Sequence, residues 1–316
     1  MNVSVVIPNY NGTRFLNECL KSINRKTVLE IIVIDNGSSD ESIDIILKNH
    51  PDVILIKNER NCGFAKAVNQ GILRARGEYV FLFNNDAILA NDYVIGKLVS
   101  EIESEDNIFS VSSKMIQWYN KSLIDDAGDE YTILGWTKRV GYGKSVENYS
   151  ESRDTFSACA GAALYKRKLL LDLGLFDEEF FAYMEDVDLS FRARLSGYNI
   201  RYCADAKVYH YGSGTSGSQY NSFKTRIAAK NNIFVVYKNM VWPILLINFI
   251  FLCFGFFIKM LFFMKKRHGK LYLSGLKEGF KNRSLVSRRK FKSSEIRYYI
   301  AVELFMIKNT FKFLFY

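Results

Sequence analysis

Four apolar, β-rich runs alternate with helix-like patterns over the first 90 residues: Val3–Ile7, Ile31–Ile34, Val53–Lys57 and Tyr79–Phe83. Between them, Phe15, Leu16, Leu20 and Ile23 share one helical face, as do Ile43, Ile46 and Leu47, and then Phe64, Ala67, Val68, Ile72 and Ala75. These spacings follow a 3.6-residue period. Strands that are apolar on both sides must be covered on both sides. Strand–helix–strand repetition therefore predicts an α/β fold, with a mostly parallel, doubly covered sheet and right-handed crossovers.

In such a sheet, ligands bind outside the carboxyl ends of the strands. The four runs end in "PNYNG", "DNGSSD", "NERNCG" and "NNDAIL". Loops are polar as a rule. That rule does not explain an acid abutting a strand at Asp35, or an acid set between two apolar runs at Asp86. The expectation is that Asp86 sits on the rim of a binding crevice. Residues 90–150 show few periodic segments, and "DDAGDEYTILGWTKRVGYGKS" reads as a mobile loop over the site or as an irregular insertion. Regularity returns at residue 157, where a strand and a helix are expected.

A second acidic group lies in "EDVDLSFRARLSG". Val187, Phe191 and Leu195 form one helical stripe, and Gly197 is a natural stop. Acids in a first turn satisfy free N–H groups and suit the helix dipole. Glu185, Asp186 and Asp188 together exceed what capping requires, which points to chemistry. His210 follows at a strand end, ahead of Gly212, Ser213, Gly214 and Gly217. A lone His there has a structural reading as well as a ligand reading. An Asp and a His beside diphosphate oxygens can complete the octahedral shell of Mg2+ or Mn2+. Such an ion would neutralise a departing nucleoside diphosphate, while a separate carboxylate deprotonates an incoming hydroxyl.

The net charge of +10 is unevenly placed: residues from 220 onward hold 19 Lys+Arg against 3 Asp+Glu. This half also contains "VWPILLINFIFLCFGFFIKMLFFM" followed by "KKRHGK". An apolar run with a basic flank favours an anionic membrane over nucleic acid. The run reaches the roughly 20 residues a span needs. Pro243, Asn248 and Lys259 leave open a helix lying in the interface. Five scattered cysteines without a C-x-x-C pair suit a reducing compartment. The N-terminus enters a strand pattern at once, so no signal peptide is expected.

Taken together, "SVVIPNYNG", "IIVIDNGSSD", "NCGFAKAVNQG", "GEYVFLFNNDAIL", "FFAYMEDVDLSFRARLSGY" and "VYHYGSGTSG" resemble the family 2 inverting glycosyltransferases of GT-A fold. The nearest branch is the rhamnosyltransferase-like one of bacterial surface-polysaccharide synthesis. The resemblance runs from about residue 2 to 217 and implies a GT-A domain over 1–220. It leaves 221–316 as a basic, helical, membrane-associating tail.

By resemblance, Asp35 reads the nucleotide base, with Pro8 and Tyr10 lining its pocket. Asn61, Gly63 and Lys66 lie beside the nucleotide and diphosphate. Asn84-Asn85-Asp86 takes the place of the D-x-D motif: Asp86 is the metal-binding acid, and Asn84 replaces the first acid. His210 supplies another metal ligand. Asp186 is the general base, Glu185 helps hold the acceptor, and Gly161 and Ala162 are small residues on the acceptor side. The implied partners are a dTDP-rhamnose or UDP-sugar donor and a lipid-linked or oligosaccharide acceptor, at the cytoplasmic face of the membrane. Oligomeric state stays open. A dinucleotide oxidoreductase would need G-x-G-x-x-G after the first strand, and a nucleotidyltransferase a basic glycine-rich loop there. Neither is present. A nucleotide-sugar binder without catalysis would have no use for Asp86, Asp186 and His210 together.

Overall fold

The computed structural model describes residues 1–212 and 221–315. Strands β1 (Val3–Asn9), β2 (Glu30–Asp35), β3 (Ile54–Lys57) and β4 (Tyr79–Phe83) run parallel, in the order β3-β2-β1-β4. Helices α1 (Leu16–Lys21), α2 (Ser42–Asn49) and α3 (Phe64–Arg74) are the crossovers. Then come β5 (Ala87–Leu89), α4 (Val94–Ile102), β6 (Ile108–Gln117), β7 (Ile124–Asp126), β8 (Asp129–Tyr131), β9 (Thr137–Arg139) and β10 (Arg153–Asp154). The catalytic half closes with β11 (Ala162–Lys166), α5 (Arg167–Asp172), α6 (Glu185–Arg194) and β12 (Asn199–His210).

The sheet continues past β4 as β11-β6-β12-β10, with β5 on β12 and β7 on β6. β11 runs antiparallel to both of its neighbours, so the sheet is mixed in its second half. Alternate residues of the inner strands feed two cores. Val3, Val5 and Ile7 pack with α1 and α4 on one face, and Val6, Ile32 and Ile34 with α3 and α6 on the other.

The region that resisted sequence reading is ordered. Residues 108–117 form a ten-residue buried strand, and 124–139 form β7 and the β8–β9 hairpin. The last three strands are only three residues long and partly acidic. Such strands are too short to show a two-residue period.

Four long helices follow: α7 (Ser222–Asn239), α8 (Trp242–Lys265), α9 (Gly269–Asn282) and α10 (Ile296–Phe315). α7, α8 and α10 and the segments beside them share a third core with the sheet-bearing part of the chain, in which Phe234, Val235, Met240, Leu252, Val302 and Met306 pack on Tyr131, Phe156, Phe180 and Phe191.

Candidate active site

The carboxyl ends of β1, β2 and β4 come together through side-chain amides. Asn9 lies opposite Asp35 in the sheet register. Its amide donates to Asp35 Oδ1 at 2.9 Å, and Asn85 in turn donates to Asn9 Oδ1 at 2.7 Å. Asn85 is thus a buried strut between strand ends. Asp35 Oδ2 accepts from the Ser38 N–H at 3.0 Å, so this buried acid is held rigidly at the crevice floor. Pro8 precedes Asn9 on β1, and Tyr10, which follows it, is exposed.

On the neighbouring loop, Asn36 donates to Asn61 Oδ1 and to the Gly63 carbonyl. Gly63 has a φ of +90° and sits against Phe181, where a Cβ would collide with the Phe181 ring and carbonyl. Lys66 pairs with Glu178 at 3.8 Å with both side chains half exposed. That pair is weak enough for a phosphate to displace.

Asp86 and His210 meet. Pairing of β5 with β12 sets His210 opposite Ala87, and His210 Nε2 lies 3.1 Å from Asp86 Oδ1. The other ring nitrogen, Nδ1, lies 2.7 Å from Asp125 Oδ2. Burial alone would lower the His210 pKa. The hydrogen bonds and charges of Asp125 and Asp86 outweigh it and hold the imidazole up at about 10. Asp125 also accepts from Arg139 at 3.3 Å.

Asp125 was not singled out from the sequence, although its "DDAGDE" segment carried a visible signal: four acids around a glycine within six residues. A carboxylate behind a histidine fixes the ring's orientation and aims the other nitrogen. Of the glycine stretch after His210, Ser213, Gly214 and Gly217 lie outside the described residues.

Asp186 stands at the start of α6 and is half-buried. Its Oδ1 accepts from the Val187 N–H at 2.8 Å and its Oδ2 from the Ala160 N–H at 3.5 Å. The next residue, Gly161, accepts from the Asn84 N–H at 2.8 Å. Residues 160–161 therefore connect the start of α6, through the Ala160 N–H, with the backbone just ahead of Asp86, through the Gly161 carbonyl. A Cβ on Gly161 would press on the Asn84 amide, while Ala162 is sealed inside the sheet.

Burial pushes the Asp186 carboxyl above its usual range, opposed by those N–H groups. Glu185 is buried and pushed well up, first by burial and then by Asp186, and its Oε2 has no partner among the described residues. Nearby, burial raises Asp126 to about 7 against the Arg139 guanidinium, and it raises Asp129 as well.

The acids of α6 divide by role. Asp188 is fully buried and bound to Arg192, Lys238 and Asn239, which hold it ionised against the burial cost. It is structural: ion pairs with Arg192 and Lys238 and the Asn239 amide account for it without catalysis or capping.

The segment before α6 is strained: Phe181, Tyr183 and Met184 have φ of 61°, 67° and 74°. Such backbones cost about 1–3 kcal/mol each and persist only where surroundings impose them. Asn231 of α7 imposes this one. Its amide nitrogen lies 2.8, 2.9 and 2.7 Å from the carbonyls of Phe180, Ala182 and Tyr183. With two hydrogens for three acceptors, at least one bond is shared.

The fold is that of an α/β protein whose polar groups gather at the carboxyl ends of its strands, with the Asp86–His210 pair and the raised Asp186 carboxyl among them. The sequence profile of glycosyl transferase family 2 matches residues 4–174, more than half of the chain, and the chain belongs to that family. It is 26% identical over 274 residues to the uncharacterized glycosyltransferase YfnE of Bacillus subtilis, covering 72% of this chain and 69% of YfnE. It is also 26% identical over 204 residues to the poly-beta-1,6-N-acetyl-D-glucosamine synthase of Staphylococcus aureus, covering 63% of this chain and 47% of the synthase. The chain thus spans about half of that enzyme's length. Among solved structures, GalNAc-T7 with UDP, GalNAc and Mn2+ superposes with a TM-score of 0.58 at 20% identity. That match covers 74% of this chain and 47% of GalNAc-T7, and it supports the GT-A fold.

Proposed function

We propose that this glycosyltransferase moves a sugar, with inversion, from a nucleoside-diphosphate donor to a hydroxyl of a saccharide acceptor. The donor is dTDP-rhamnose or a UDP-sugar. The acceptor is carried on a lipid at the cytoplasmic face of the membrane, with the tail over 221–316 holding the enzyme there. The observation that supports the reading is the link through residues 160–161, which hydrogen-bond on one side to Asp186 and on the other to Asn84, two residues before Asp86.

Asp35, with Pro8 and Tyr10, takes the base, and Asn61, Gly63 and Lys66 flank the diphosphate. Asp86 Oδ1 and His210 Nε2 lie side by side, and an ion binding there would displace the Nε2 proton to use one hard oxygen and one imidazole nitrogen. This set suits Mg2+ or Mn2+ completed by water and phosphate oxygens. When bound, the ion stabilises the leaving diphosphate. Asp186 takes the acceptor proton, and Glu185 beside it holds the acceptor.

A thermal-shift panel of uridine and thymidine diphosphates with and without Mn2+, followed by NMR of the product's anomeric carbon, tests the reading. Stabilisation by one diphosphate and an inverted anomer are expected. A retained anomer, or indifference to every nucleotide, overturns it.

Asp125 gives a second prediction. Asp125→Ala is expected to weaken Mn2+ binding by about 10–100-fold, the usual cost of losing the group behind a ligating histidine. Asp125→Asn keeps an acceptor for the ring N–H and should recover much of that loss. Titration of Mn2+ by its EPR signal measures both without any turnover.

A further inference from the structure

We propose that the exposed apolar face of α8, continued by that of α10, lies in the plane of an anionic bilayer and does not cross it. The inference deepens the membrane placement given above and rests on it, but not on the chemistry of transfer.

By length and composition alone α8 could cross: it has 24 residues, and its most apolar window has a mean hydropathy of 2.4. Its midsection, however, is seated on the catalytic half. Ile244, Asn248, Leu252 and Gly255 are buried and fall on one side of a 3.6-residue helix. Asn248 donates to Glu303 of α10 at 2.7 Å, and the indole N–H of Trp136 donates to the Gly255 carbonyl at 2.9 Å. The backbones approach so closely there that a Cβ on Gly255 would collide with the Leu134 carbonyl. Turning α8 along a bilayer normal would strip these buried polar groups of their partners, at about 1–3 kcal/mol each. It would also open the shared core.

The opposite side of α8 has no cover. Leu246, Ile250, Phe254, Phe257 and Leu261 are exposed, Ile250 by 76%. On α10, Ile296, Ile300, Leu304 and Phe311 are exposed along one stripe, and the helical period sets Arg297 and Lys308 along its edge. Lys265, Lys266 and Arg267, all exposed, end α8. An apolar face with basic edges is the pattern of a helix buried about 5–10 Å into the headgroup boundary. Each such cation gains about 1 kcal/mol at an anionic surface. The same edges argue against a second copy as the occupant, because two basic rims would be brought face to face.

The native thiol of Cys253 reports the answer. It is exposed and lies at the middle of α8. The full-length protein is labelled with a polarity-sensitive fluorophore, with Cys253→Ser as the background control. It is then mixed with vesicles of phosphatidylglycerol and phosphatidylcholine, or of phosphatidylcholine alone. A blue shift on anionic vesicles only, quenched best by lipids brominated near the headgroup end of the chains, is expected. Paired Ile250→Asp and Phe254→Asp substitutions should weaken that binding at least tenfold, with circular dichroism unchanged. Strongest quenching by bromines at the bilayer centre would mean a crossing helix and would overturn the in-plane placement. No shift on any vesicle, or a vesicle-independent shift that grows with protein concentration, would overturn the membrane as occupant. Donor binding, measured separately, is untouched by either failure.

Discussion

Asp186→Asn is expected to abolish sugar transfer while donor binding survives. The substitution keeps one oxygen to accept from the Val187 N–H at 2.8 Å and gives up only the 3.5 Å contact with the Ala160 N–H, so the start of α6 should hold its place. What is lost is the proton acceptor, for which a drop of about 10²–10⁴-fold is the usual range. Turnover in the presence of acceptor and calorimetric donor affinity separate the two effects.

The same group sets a pH dependence. As the proposed base, Asp186 would work deprotonated, and burial raises its pKa. Activity should therefore fall with decreasing pH at a value above the ordinary Asp range of about 3.9. A limb at or below that range, or full turnover in the Asn variant, would move the base elsewhere, with Glu185 the adjacent candidate.

A chain truncated after residue 220 is expected to aggregate and not to survive as a soluble catalytic domain. Removing α7–α10 uncovers Tyr131, Ile133, Phe156, Phe180, Val187, Phe191 and Leu195, which are buried against those helices. At roughly 1.5–3 kcal/mol per buried apolar side chain, the loss is on the order of 10 kcal/mol. That matches the whole stability of a typical domain, about 5–15 kcal/mol. Asp188 would also lose Lys238 and Asn239 while staying buried beside Arg192 alone. Expression and size-exclusion chromatography of the truncated chain check this. A monodisperse, folded product would show that the third core is dispensable.

The first half of the fold was legible because its signals are local. Apolar strands, three crossover helices and polar strand ends are each written within ten residues of chain. Asp35, Asp86, Asp186 and His210 could be picked out because each interrupts such a pattern. Asp125 could not be assigned a role, because its meaning comes from β7 lying beside the end of β12, a contact across 85 residues. The packing of α7 was hidden for a different reason. Its buried positions include Asn231, Asn232, Lys238 and Asn239, so the helix buries polar groups that read as a solvated face. Asn231 is inside because the loop before α6 has carbonyls that need donors, Asn232 because it meets Gly135 and Tyr131, and Asn239 because it meets Asp188, demands invisible until those segments are built.

The single amide of Asn231 makes the rear helices and the loop ahead of Asp186 one mechanical piece. If the outer side of those helices rests on a bilayer, the reacting carboxylate stands at a set height above the lipid. The enzyme then works as a ruler: an acceptor whose hydroxyl ends short of that height is out of reach, however well its sugar fits the cleft.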